Sequence, residues 1–331
     1  MIMFEKVCKD VTKTARKIPQ SEYQKSGDYK IFDQGKEYIG GYTNDSTGIV
    51  NDFPYIVFGD HTRVIKYIDE PCFIGADGVK LLKVFNQSFY PKYVYYSFLS
   101  NPVANLGYSR HFKFLKETAI RECDLNSQYA IVNDLDNINY AISIAKCRLL
   151  SLEELVKSRF IEMFIDKSFP YEFWGNVVSI INGKDYKKVP NNNQTYPIYG
   201  SGGYMGIRCD KYICKEFSTI IGRKGNVTNP IFVKEKFWNV DTAFGIEVKE
   251  KLNPYYFYQY TLTIDLASMV SGAAIPSLTK SDLLKLQIPV PPIELQNEFA
   301  EFVKLIDKSK FVYQVIQGTF YVKFARFRHP P

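Results

Sequence analysis

The stretch Tyr29-Lys-Ile31-Phe32-Asp-Gln-Gly35 returns about 165 residues later as Tyr196-Pro-Ile198-Tyr199-Gly-Ser-Gly202, and a recurrence of this kind marks a duplicated module. Each copy is followed by a tyrosine and a glycine, Tyr38 and Gly40 in the first, Tyr204 and Gly206 in the second. Working outward, Ile56-Val-Phe-Gly59 runs parallel to Thr219-Ile220-Ile221-Gly222, and Phe73-x-x-x-Asp77 to Phe237-x-x-x-Asp241. Pro91-x-Tyr93-x-Tyr95 matches Pro254-x-Tyr256-x-Tyr258, and Leu115-Lys116 lies roughly opposite Thr279-Lys280. The matches keep one order at a nearly constant offset, which chance rarely gives. Within each copy, short β-branched and aromatic runs (Tyr55 to Phe58, Thr219 to Ile221, Phe244 to Val248) are punctuated by Gly, Asn and Asp, the signal for short strands joined by turns.

After each module the pattern changes to a helical one. Ile131, Leu135, Ile138, Ile142, Ala145, Leu149, Leu152 and Val156 recur every three or four residues, as in a coiled-coil seam. Beyond Pro291-Pro292, Leu295, Phe299, Phe302, Ile306, Tyr313, Ile316, Phe320 and Phe327 form a similar stripe, interrupted at Ser309 and Lys323. A helix of nearly 40 residues spans about 55 to 60 Å, more than a single module can cover, so part of each helix needs another partner. The expected fold is therefore α+β. Two β-rich domains stand in tandem repeat, each followed by a long helix, and the two helices pair as an antiparallel coiled coil with pseudo-twofold symmetry. The expected boundaries are 1–125 for the first domain, 126–167 for the central helix, 168–291 for the second domain and 292–331 for the C-terminal helix.

Composition narrows the function classes. With 331 residues and 46% hydrophobic content the chain can build a core for each module. The excess of 42 Lys+Arg over 35 Asp+Glu tilts its surface toward polyanions. Six cysteines (8, 72, 123, 147, 209 and 214) contain no CxxC pair and are joined by only three histidines, His61, His111 and His329, which argues against a zinc or disulfide framework. No metal and no cofactor are expected. No apolar run approaches the roughly 20 residues of a membrane span, and the first residues lack a signal-peptide core, so a cytoplasmic protein is expected.

Catalytic motifs do not assemble. Asn253-Pro254-Tyr255-Tyr256 lacks the second proline of an adenine methyltransferase loop, and Gly200-Ser-Gly-Gly203 has no acidic strand at nucleotide-binding spacing. Gly222-Arg-Lys-Gly225 is no phosphate loop. Asp241 with Glu247-Val-Lys249 imitates a nuclease metal site, but the first module has Asp77 without the Glu-x-Lys. Three histidines leave no plausible nucleophile triad. A non-catalytic protein is expected. The alternatives are a self-contained restriction or methylation enzyme with an unrecognised active site, and a protein-binding adaptor with a helical arm.

Basic residues beside backbone-exposing glycines suit phosphate contact. Arg223, Lys224 and Asn226 fit best, followed by Lys184, Lys187 and Lys188 in the second module and Arg63, Lys66 and Lys80 in the first. Arg110, His111 and Lys113 stand near where Ser277, Thr279 and Lys280 stand in the second copy. Asn191, Asn192, Asn193 and Gln194 carry amides that can pair bidentately with adenine.

Several segments together resemble the specificity subunits of Type I restriction-modification systems: Tyr196-Pro-Ile-Tyr-Gly-Ser-Gly-Gly-Tyr204, Ile220-Ile-Gly-Arg-Lys-Gly225, Gly272-Ala-Ala-Ile-Pro-Ser-Leu-Thr-Lys280, Ile288-Pro-Val-Pro-Pro-Ile-Glu-Leu-Gln296 and Leu155-Val-Lys-Ser-Arg-Phe-Ile-Glu-Met-Phe164. The resemblance covers essentially the whole chain. It implies two target recognition domains that each read half of a split site in double-stranded DNA, and helices that act as spacer and dock two methyltransferase subunits. In that family the methyltransferases bind S-adenosylmethionine, and ATP-dependent restriction subunits cut the DNA. Two departures stand out. Arg121-Glu-Cys-Asp-Leu-Asn-Ser-Gln128 replaces the Pro-rich lead of the second helix, so the first domain is expected to meet its helix at a different angle. The chain ends in Arg326-Phe-Arg-His-Pro-Pro331 without the family's polar helical ending, which implies a shortened C-terminal helix.

Overall fold

In a computed structural model, which describes residues 1–105, 107, 109–165, 167–269 and 277–328 with side chains through 310, the β-branched and aromatic runs form strands and the two seams form long helices. The chain divides into two units, Met1–Ala145 with Val315–Pro331, and Lys146–Gln314.

In the first unit the strands are β1 (Ile2–Met3), β2 (Cys8–Asp10), β3 (Lys17–Ile18), β4 (Tyr29–Phe32), β5 (Gly41–Thr43), β6 (Tyr55–Gly59), β7 (Ile65–Ile68), β8 (Cys72–Gly75), β9 (Val79–Val84) and β10 (Ala119–Ile120). The helices are α1 (Pro91–Ser100), α2 (Phe112–Leu115) and α3 (Leu125–Phe160), whose residues from Lys146 belong to the second unit. One sheet has the order β2-β9-β6-β7, a second β3-β8-β4-β5, and β1 pairs with β10. Strand β6 is buried along its whole length, which is why it reads as a continuous apolar run without alternation. Phe4, Phe58, Phe98 and Phe112 pack together on one side of it, and Phe32, Val57, Ile74 and Leu81 on the other.

The second unit repeats this wiring, except that its second sheet has three strands where the first unit's has four. It contains β11 (Tyr171–Phe173), α4 (Trp174–Val177), β12 (Val178–Asn182), β13 (Tyr196–Gly200), β14 (Gly203–Cys209), β15 (Ser218–Gly222), β16 (Ile231–Val233), β17 (Trp238–Asn239), β18 (Ala243–Val248), α5 (Pro254–Thr261), α6 (Lys280–Leu284), β19 (Gln287–Pro289) and α7 (Ile293–Arg328), whose residues from Val315 belong to the first unit. Its four-stranded sheet has the order β12-β18-β15-β16, equivalent to β2-β9-β6-β7. In both units the central Tyr-x-Ile strand pairs parallel with the Phe73 or Phe237 segment and antiparallel with the next hairpin strand. The matched prolines each open a short helix, where an N–H would be unbonded anyway. The matched tyrosines Tyr93 and Tyr256 are fully buried and donate to equivalent carbonyls, Arg121 at 3.0 Å and Pro289 at 2.7 Å. One pairing from the sequence is a turn out of register: the true counterpart of buried Leu115 is buried Leu283, and His111 aligns with Thr279 as the residue preceding α2 or α6.

The long helices run antiparallel in the second unit. Arg159 pairs with Glu298 at 3.0 Å and Glu153 with Lys310 at 3.5 Å, one number falling as the other rises. Phe160, Phe164, Tyr256 and Phe299 form a ring cluster with centroids 4.8 to 5.7 Å apart, so the helix pair and α5 share one core. Burying a ring of this kind contributes about 2 to 3 kcal/mol. Of the seam residues, Leu152, Leu295, Phe299, Phe302 and Ile306 lie in this core with Val156. Ile131 and Leu135, with Val132, pack on the first module's own core, where Tyr96 and Lys92 of α1 hold Asp136 and draw the opening turns of α3 onto α1. Ile138, Ile142 and Leu149 are half-buried, and the side chains of Ile316 and Phe320 lie outside the described residues. Among the described residues no helix is long and apolar enough to cross a membrane.

Candidate nucleic-acid interface

Backbone bonds gather four segments at one end of the second unit's sheets. Arg223 and Lys224 donate their N–H groups to the Thr242 carbonyl at 2.8 and 3.1 Å, Val240 donates to Tyr199 at 2.9 Å, and Lys184 to Asn239 at 2.8 Å. The Trp238 indole returns a bond to the Lys184 carbonyl at 2.8 Å. Lys224 bridges to Ser277, and Leu278 donates to the Arg223 carbonyl at 3.0 Å. Between these segments and the β13–β14 hairpin lies an open groove of about 670 Å³ lined by Lys187, Ser201, Tyr204, Met205, Asp241 and Thr242, a size that admits a base or sugar. Arg223, Lys224, Lys184, Lys187 and Lys188 all carry exposed side chains. The shape of the Arg223–Lys224 loop depends on Gly222: a β-carbon there would lie 1.9 Å from the Asn226 carbonyl oxygen, so only glycine lets the loop fold back.

The asparagine loop is held from beneath. Asp210 accepts the N–H groups of Asn192, Asn193 and Gln194 at 3.0, 2.8 and 2.9 Å. Arg208 donates to the Gln194 carbonyl at 3.0 Å and pairs with Glu235 at 3.0 Å. Gln194 has φ of +48°, a conformation that costs roughly 1 kcal/mol and that these bonds offset. With the backbone fixed, the exposed side chains of Asn192 and Asn193 are free to face a ligand.

The first unit repeats the frame and changes its chemistry. Asp60 donates its N–H to the Gly78 carbonyl at 2.7 Å, as Arg223 does to Thr242, and its carbonyl accepts the His111 N–H at 2.9 Å. Asp60 thus occupies the place of Arg223, but it is buried and its carboxylate accepts the N–H of Phe112 at 2.8 Å. A smaller groove beside it is lined by Lys17, His61, Asp77, Lys80 and Arg110. Exposed Arg110 and Lys113 remain open to a phosphate.

Other expected contact residues have partners within the fold. Lys66 is 3% exposed and sits 3.4 Å from Asp33; burial pushes its pKa down. Strand parity explains this, since Lys66 shares the inward face of β7 with Ile68. His111 is fully buried, with Nδ1 3.0 Å from the Asp60 carbonyl. Arg63 donates to the Val103 carbonyl at 3.2 Å within its own module. Lys80 stands 3.5 Å from Asp10 and over the Phe112 ring. Thr279 caps α6 by accepting the Asp282 N–H, Lys280 reaches the Ile180 carbonyl at 2.8 Å, and Asn226 accepts the Thr228 hydroxyl at 3.4 Å. The nuclease-like set is dispersed: Glu247 accepts the Lys215 N–H at 2.9 Å, Lys249 reaches the Gly175 and Asn176 carbonyls, and Asp241 lies on the groove. Among the described residues no three His, Cys, Asp or Glu side chains gather to hold a metal. Sequence reasoning missed Asp210 and Asp60, whose signals are long-range backbone bonds, and the exposed Tyr204 and Met205 of the hairpin.

Residues 173–314 match the family of the Type I restriction modification DNA specificity domain. A putative type I restriction enzyme specificity subunit of Haemophilus influenzae is 33% identical over 72 residues, which is 22% of this chain and 18% of that protein. The chain thus spans less than a fifth of the length of that curated relative. The S subunit of a Type-I restriction-modification system from M. genitalium has a TM-score of 0.71 at 16% identity, covering 98% of this chain and 94% of that one. A second solved chain, from work on complex assembly and conformational transition of the type I R-M system, has a TM-score of 0.51 at 13% identity over 99% of this chain and 94% of its own. At these identities the likeness is one of fold.

Proposed function

We propose that this chain, whose residues 173–314 match the Type I restriction modification DNA specificity domain family and whose fold is similar to that of an S subunit, is the non-catalytic DNA-reading subunit of such a system. Residues 1–125 and 168–291 each read one half of a bipartite site in double-stranded DNA. The helices within 126–167 and 292–331 set their spacing and dock two methyltransferase subunits, which bind S-adenosylmethionine and connect to ATP-dependent restriction subunits. The protein works in the cytoplasm and carries no cofactor of its own. In the second module Arg223, Lys224, Lys184, Lys187 and Lys188 grip phosphates while Asn192 and Asn193 read bases; in the first, Arg110 and Lys113 take the phosphates.

The observation that supports this reading is the repeated frame: two modules of one topology, each presenting a groove at the same strand ends, beside the equivalent turns at Asp77 and Asp241. Phosphate contacts position such a module on a duplex, and side chains in loops then reach base edges. Selection of the purified chain on a library of random duplexes tests it. The expected product is a two-part sequence with a fixed unread gap, bound with an affinity that falls steeply with salt. Cleavage or methyl transfer by the chain alone, given DNA, Mg²⁺ and S-adenosylmethionine, would refute the non-catalytic role.

A further inference from the structure

Gln128 and Gln296 are fully buried, and each is the fourth residue of a long helix. Gln128 accepts the Tyr90 N–H at 2.8 Å and donates to the Ser88 and Cys123 carbonyls, both at 2.8 Å. Gln296 accepts the Asn253 N–H at 2.8 Å and donates to the Lys251 and Pro291 carbonyls at 3.1 and 2.8 Å. The partners are equivalent in the two units. Tyr90 and Asn253 precede the first turns of α1 and α5, Ser88 and Lys251 stand two residues earlier, and Cys123 and Pro291 stand five residues before their glutamines. A carboxamide is the side chain that offers an acceptor and two donors in one plane, which this set of one N–H and two carbonyls requires.

The clamp survives where the surrounding sequence does not. Pro291-Pro292 leads into α7, whereas Cys123-Asp124 leads into α3 with Asp124 accepting the Ser127 N–H at 2.9 Å. The first helix therefore keeps the anchoring bonds of the second without its prolines.

We propose that Gln128 and Gln296 are positioning residues that lock the direction in which each long helix leaves its reading module, and so fix the number of unread base pairs the chain accepts. This rests on the proposed function. A 36-residue helix is about 54 Å long, so a tilt of about 4° at the clamp moves its far end by about 3.4 Å, the rise of one base pair. A joint that selects one spacer length must be stiff to a few degrees, and three bonds in one plane provide that stiffness where a single cap bond does not.

The test uses the full chain with Gln296→Met and, separately, Gln128→Met, which keep side-chain length and remove all three bonds. Each is measured on duplexes carrying both selected half-sites with the spacer varied one base pair at a time, and on duplexes carrying either half-site alone. Expected is at least a fivefold fall in the preference for the best spacer over its neighbours, with single half-site affinity within twofold of the parent chain. An unchanged spacer preference in a folded variant overturns the inference, and so does an equal loss on single and paired half-sites, which would mark a merely structural role. The two joints are tested independently, so a variant that fails to fold leaves the other to decide. A parent chain that selects no two-part sequence would instead refute the proposed function.

Discussion

Removing the Asp210 carboxylate isolates the step from loop order to base reading. Asp210 is half-buried, and its two oxygens accept three successive N–H groups, Asn193 and Gln194 on one and Asn192 on the other. A bond from a backbone N–H to a charged acceptor contributes about 1.5 to 3 kcal/mol when shielded, and solvent access here reduces that to about 0.5 to 1 kcal/mol each. Asp210→Ala should therefore shift the loop toward open states by about 1.5 to 3 kcal/mol, while Arg208 still holds the Gln194 carbonyl. If Asn192 and Asn193 read bases only in the ordered loop, apparent affinity for the selected sequence falls in proportion to the ordered fraction, about 10- to 100-fold. Asp210→Asn offers one acceptor oxygen, which can keep the paired Asn193 and Gln194 bonds, and should lose about a third of that free energy. Fluorescence anisotropy on the selected duplex and on a random duplex measures both quantities. Random-duplex affinity is expected to stay within twofold, because the phosphate-gripping lysines are untouched. Equal losses on both duplexes, or an unchanged sequence preference in Asp210→Ala, would refute the reasoning.

The double variant Arg223→Ala with Lys224→Ala should weaken binding to all sequences alike and lower the slope of log affinity against log salt by up to about 2; an altered preferred sequence would show that these side chains read bases. Lys66→Met should leave DNA affinity within twofold. The wild-type lysine, its pKa depressed by burial, makes stability rise with pH from that lowered pKa to its unfolded 10.5, and denaturation of the variant should lack this rise. Gly222→Val, with its β-carbon against the Asn226 carbonyl, should cost about 3 kcal/mol or more in thermal unfolding, and a loss below about 1 kcal/mol would contradict the packing described. Burial pushes the thiols of Cys8, Cys72 and Cys214 up to about 12 from 9.0, so the stability tied to their protonation is full below pH 9 and is lost as pH rises toward 12. At pH 8 iodoacetamide should label exposed Cys147 first, and early labelling of these three instead would count against their burial.

Duplication, strand and helix types and the antiparallel helix pair were legible because they depend on local periodicity. A period of two or of three to four residues survives in one dimension, and the matched Pro-x-Tyr segments mark the same short helix in both units. The corrections came where a residue's role depends on what lies across the fold. Lys66 reads as a surface charge in the sequence, and only its parity with Ile68 on β7 turns it inward. Asp60 and Arg223 occupy one position in two copies, yet the N–H of Phe112, some 50 residues on, buries the first while the second stays exposed. The repeat, the element types and the basic surface follow from the order of residue types along the chain. Which charges face solvent, which carboxylate holds the asparagine loop and which glutamines anchor the helices were decided by tertiary structure, because each depends on donors and acceptors brought together from distant segments.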